Sequence, residues 1–185
     1  ANSKHHPGCA TVKGKNNKNI FKPYFWFDIF TVNQFEAATY PQDFWTTTFK
    51  EQVRDIGHTL LILHPWDRPI PLTRAWCVWE MYCTLDTGAQ MHIRQPASDM
   101  KQLDRALAHD PSGTVAMVKS FDARKAEAWK KTDQTMIQQA INDTVGFEAI
   151  NDLIRRRIQA FLKHNMETSR ALFFEAGQSL EERFN

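Results

Sequence analysis

The chain has 185 residues, of which 42% are hydrophobic and 24% charged, and a formal net charge of +2. This suits one globular domain with a real core, excludes wholesale disorder, and gives no reason to expect a nucleic-acid partner. No apolar run approaches the roughly 20 residues of a membrane helix, and three cysteines (Cys9, Cys77, Cys83) make no disulfide framework, so a cytoplasmic or other reducing compartment is expected.

Residues 1–20 are polar and basic and read as a tail, or as the remnant of an upstream segment. His5, His6 and Cys9 have no second cluster at zinc-ligand spacing, so no metal site is expected there. The chain does not begin with Met, as for a fragment or a processed form. Tyr24-Phe25-Trp26-Phe27-Asp28-Ile29-Phe30 reads as a strand covered on both faces, as in a parallel sheet. Asp28 near its end suits either a loop cap or a site. A loop over 33–45 follows, then a helix to about Gly57, with Phe49, Val53 and Ile56 at helical spacing.

Residues 59–64, Thr-Leu-Leu-Ile-Leu-His, read as a buried strand stopped by Pro65. A Pro-bearing loop leads to Trp76-Cys77-Val78-Trp79-Glu80, which opens a helix closed by Gly88. Ligands of open α/β sheets bind at this edge, the carboxyl ends of the strands. Met91-His92-Ile93 reads as a short strand, and a helix from Ser98 or Asp99 turns Met100, Leu103 and Leu107 inward. Thr114 to Val118 reads as the next strand, and Asp122 to Lys131 as a charged helix. A helix from Thr132-Asp133 carries Met136, Ile137, Ala140 and Ile141 on one face and breaks at Gly146. Phe147 to Phe184 reads as one helix or two, with Gly177 as an interruption. The basic runs 124–131 and Arg155-Arg156-Arg157 read as solvated helix faces. The alternation predicts α/β architecture: a flavodoxin-like parallel sheet over 21–146 with flanking helices, and a C-terminal helical extension over 147–185.

The order of motifs resembles a TIR-like domain. The residues that carry the resemblance are Phe27-Asp28, the loop 33–45, the strand 59–64 and Trp76-Cys77-Val78-Trp79-Glu80, and it covers about 21–160. The wording Pro-Leu-Thr-Arg-Ala-Trp-Cys-Val-Trp-Glu looks like a divergent branch found in algae and other protists. Two departures stand out: Arg74 occupies a position that is usually small, and the first strand of the family's sheet is missing. The resemblance implies that this strand comes from upstream sequence or from another chain.

It also implies one of two functions: a self-associating protein-interaction and assembly module, or an NAD(P)-cleaving signalling hydrolase. In the second, Glu80 is the catalytic carboxylate, and Asp28, Asn33, Arg74 and Trp76 bind substrate. NAD(P) then enters as substrate and no cofactor is expected. A carboxylate suits that chemistry, because breaking the nicotinamide–ribose bond develops positive charge on the sugar. The structural alternatives are a Glu80 favoured by the helix dipole and Trp76 and Trp79 as core or interface aromatics. No Gly-rich phosphate loop is present, which disfavours a dinucleotide-binding dehydrogenase or an NTPase.

Overall fold

A computed structural model describes residues 12, 13, 19, 20, 41, 44–110 and 112–184, the side chains of 12, 13, 19, 20, 45, 46 and 169–184 excepted. The chain forms two compact units, Ala1–Trp45 and Thr46–Asn185. In the first, strands β1 (Val12–Lys13) and β2 (Asn19–Ile20) pair antiparallel, so part of the expected tail is a strand pair. The expected strand at 24–31 and the expected loop 33–45, except for residues 41, 44 and 45, lie outside the described residues.

The second unit is mostly helical around a small parallel sheet. Its elements are α1 (Phe49–Ile56), β3 (His58–Ile62), α2 (Ala75–Asp86), β4 (Gln90–Arg94), α3 (Ala97–His109), α4 (Ser112–Ser120), α5 (Lys131–Thr144) and α6 (Phe147–Phe184). Helix α1 ends where it should: Gly57 takes φ 75°, a left-handed position that glycine tolerates, and donates to the Val53 carbonyl. Phe49 and Val53 are buried, while Ile56 turns outward.

Strands β3 and β4 are parallel neighbours, with Leu60 opposite His92 and Leu61 opposite Ile93. Among the described residues this sheet has two strands; of the other strands expected, 24–31 lies outside the described residues and 114–118 is helical. One face, carrying Leu61, Met91 and Ile93, is buried. The other carries His58, Leu60 and Ile62, all exposed.

Helix α2 is the centre of the unit. Ala75, Val78, Trp79, Met81, Tyr82, Cys83 and Thr84 are all buried, so the helix is wrapped on most sides. It packs against α1, β3, β4, α5 and α6. Thr84 ties it to the sheet: its hydroxyl lies 2.7 Å from that of Thr59 and donates to the Glu80 carbonyl. Helix α6 supplies the facing stripe, Ile150, Ile154, Ile158 and Leu162, at successive four-residue steps.

Several expectations need correction. Residues 114–118 are helical, not a strand. A short apolar run suits either state, and here Thr114 and Val118, four apart, are the buried pair while Val115 faces out. Asp110 starts that helix by accepting from the backbone N–H and the hydroxyl of Ser112, which holds its carboxyl below the usual range. The helix expected over 122–131 does not form: Lys131 belongs to α5 and residues 122–130 are not α-helical. A short 3-10 turn, Ala123–Lys125, gives way to extended chain, because Glu127 pairs with the backbone of Thr73 and Ala75. Met100 is exposed, not core, and Gly177 does not interrupt α6. Arg155 and Arg157 are half-buried and not wholly solvated: they donate to the carbonyls of Phe121 and Met91, while Arg156 is exposed as expected.

Candidate functional site

The start of α2 is built by backbone pairing. Arg74 is extended and forms a bridge with Glu127. The Ala75 N–H donates to the Glu127 carbonyl at 2.8 Å, so one of the helix's otherwise orphaned first donors is satisfied without a side-chain cap. Arg74 itself is exposed. Trp76 is half-buried. Its indole N–H donates to Asp133 of α5 at 3.2 Å, and its ring tilts against Phe49 at 6.4 Å. This is the packing role weighed for Trp76.

Glu80 is half-buried, one turn beyond Trp76 on the same side of α2. It is the sixth residue of the helix, past the first turn, so the dipole argument for a carboxylate there weakens. The structure therefore brings Trp76 and Glu80 together and places Arg74 just before them. Asp28 and Asn33, the other expected substrate contacts, lie outside the described residues, as do Phe35 and Tyr40 of the loop. Open depressions mark the described surface. One, of about 440 Å³, is lined by Arg124, Gln138, Gln139 and Phe147 among others. Another, of about 400 Å³, is lined by Asp110, Ser112, Val115, Ala116 and Lys119. Neither contains Arg74, Trp76 or Glu80.

Neither a known protein family, nor a curated protein, nor a solved structure matches this chain.

Two histidine contacts join residues far apart in the chain. Beyond the end of β3, His64 Nδ1 lies 2.8 Å from the carboxylate of Asp99, which is buried in the first turn of α3. That carboxylate suits a helix start and fixes the imidazole's orientation. Beside it the Trp66 indole donates to Gln102 at 3.3 Å. Among the described residues no hydroxyl or thiol is hydrogen-bonded to the His64 ring, so they supply no nucleophile of the kind a hydrolytic triad needs. At the opposite end of the strands, His58 and His92 meet on the open face of the sheet. The sequence signals each histidine as a strand-end or strand residue; the pairings, 35 and 34 residues apart, have no local signature. Among the described residues, no group of three or more His, Cys, Asp or Glu could hold a metal ion, and no helix is long and apolar enough to cross a membrane.

The two cysteines among the described residues differ sharply. Cys77 is half-buried, but Cys83 is sealed in the core, and burial pushes its thiol from 9.0 up to about 12. The native thiol thus stays protonated where an unfolded one ionises. Stability from this site is complete below about pH 9 and is lost as pH rises toward 12, because the unfolded state then binds fewer protons. Alkylation at pH 8.5 followed by peptide mapping should modify Cys77 and leave Cys83 unreacted until denaturant is added. Labelling of both at equal rates in the native state would contradict the buried placement.

Proposed function

We propose that this chain is a TIR-like, flavodoxin-related interaction module that acts by self-association or by docking on protein partners within a larger assembly. The observation that carries this reading is the open sheet face. Parallel sheets are normally covered on both faces. Here Leu60 and Ile62 are 50% and 43% exposed on one face of β3, while the opposite face is buried. Single exposed aliphatics are ordinary, but two on one strand face of a parallel sheet call for a cover. The outer edge of β3 also has no partner strand among the described residues, and such an edge is a template for strand addition. A strand from upstream sequence or from another chain would satisfy it.

The test is sedimentation velocity over a concentration series, beside a Leu60→Lys/Ile62→Lys double variant. Both side chains are exposed, so folding stability should change by less than about 1 kcal/mol. The native chain should associate as concentration rises, and the variant should stay monomeric at concentrations at least tenfold higher. Equal behaviour of the two would remove this face as the interface.

A second reading is NAD(P) cleavage through Glu80. It is supported by the half-buried carboxylate one turn from an indole on α2, with an exposed guanidinium, Arg74, at the helix start. Such a guanidinium suits a phosphate. NAD consumption by the associated protein, abolished by Glu80→Ala, would establish it. Absence of turnover in both would leave the interaction module alone.

A further inference from the structure

We propose that His58 and His92 form half of a binding site for a divalent transition-metal ion of the zinc, copper and nickel group, and that a second copy of this chain, docked through the same sheet face, supplies the other half. This rests on the self-association reading and names what closes the interface.

The register places the two imidazoles. Leu60 lies opposite His92 and His58 opposite Gln90, so both rings project on the face that carries Leu60 and Ile62. His58 Nδ1 and His92 Nε2 are 3.1 Å apart, the ring centroids are 5.4 Å apart, and the ring planes differ by 21°. Without metal this contact is an N–H···N hydrogen bond, in which one ring donates and the other accepts. Two nitrogens that each sit about 2.0–2.1 Å from a tetrahedral zinc are separated by roughly 3.3–3.4 Å. The observed pair is within a few tenths of an ångström of that bite. His58 is exposed and His92 half-buried, so both rings can turn to converge on an ion. As the ion arrives the donor ring changes tautomer: its proton leaves the facing nitrogen and the ring's other nitrogen takes one up, so both rings ligate as neutral imidazoles with no net loss of a proton.

Ligand type selects the ion. Imidazole suits zinc, copper and nickel, whereas magnesium and calcium want oxygen. Ligand number selects the partner. Two histidines leave two positions of a four-coordinate ion open, and no third His, Cys, Asp or Glu among the described residues completes the set. A two-fold axis through the ion doubles the two ligands to four, because such an interface uses the same patch on both copies. Facing sheets pack about 10 Å apart, which leaves a midway ion within reach of an imidazole from each side. Leu60 and Ile62 sit on the same face and would bury the apolar area around it.

The experiment titrates the chain with zinc chloride, with magnesium chloride as control, and reads calorimetry and sedimentation velocity together. The native chain, a His58→Gln/His92→Gln variant and the Leu60→Lys/Ile62→Lys variant are compared. The expected result is one zinc per two native chains above the histidine variant's background, and a dimer dissociation constant at least tenfold lower with zinc. The histidine variant should keep the metal-free association and lose the zinc effect. Native association that is identical with and without zinc overturns the metal inference and leaves the interface standing. A native chain that stays monomeric throughout overturns the interface reading itself. Zinc bound one per chain with no change in sedimentation overturns the second-copy half of the site.

Discussion

Trp79→Ala should lower the stability of the Thr46–Asn185 unit by about 3–5 kcal/mol, the usual cost of emptying a large aromatic site in a core. Trp79 is 2% exposed, the largest fully buried side chain among the described residues, and sits on the helix that touches most other elements of its unit. Its ring tilts against Tyr82 at 5.3 Å, so the truncation also strips a contact from its neighbour. Relaxation would have to move α2 against two strands and three helices at once, so little of the cavity can close. Urea unfolding followed by far-ultraviolet circular dichroism reads the change. Trp79→Phe is the control. It keeps most of the apolar volume and removes an indole N–H that has no hydrogen-bond partner among the described residues, so its loss should be much smaller. A Trp79→Ala loss below about 1 kcal/mol would mean that α2 is not the centre of the core.

Asn151→Leu should cost about 2–4 kcal/mol through polar groups, not through volume. Asn151 is 1% exposed on α6. Its amide oxygen accepts from the backbone N–H of Ala123 at 2.8 Å, and its amide nitrogen donates to Asp122 at 3.1 Å. It thus pins the 3-10 turn Ala123–Lys125 to the long helix. Leucine has nearly the same shape but leaves the Ala123 N–H buried and unmatched. Asp122 keeps the Arg124 N–H, so its loss is partial. Asn151→Asp separates the two contributions. It restores an acceptor for Ala123 but sets a second carboxylate beside Asp122, which raises the pKa of the pair in the folded state. That variant should therefore be most stable at low pH and lose stability as pH rises, opposite to the usual trend for paired carboxylates. If Asn151→Leu matched the native stability, the turn would be held by something other than this amide.

Both predictions concern contacts between segments far apart in the chain, and that is where local reasoning stops. The sequence determined α1, β3, α2, β4, α3 and α5 to within a few residues. Each has strong periodicity or a pure apolar run, and Gly57, Gly88 and Gly146 adopt φ of 75°, 75° and 76° at or just beyond helix ends, where only glycine is at ease. It also marked the helix that carries Trp76 and Glu80. Tertiary structure decided the rest. Residues 114–118 became helix because burying Thr114 with Val118 needs a four-residue step. Residues 122–130 lost their helix because the Glu127 backbone was worth more paired with Thr73 and Ala75. Arg155 and Arg157 look like solvent-facing charge until the carbonyls of Phe121 and Met91 are placed beside them. The pairings His58–His92 and His64–Asp99, and the bare face that carries Leu60 and Ile62, exist only once β3 and β4 lie side by side. Periodicity is written within some ten residues; which face is left uncovered, and which imidazole meets which, depends on partners thirty residues away.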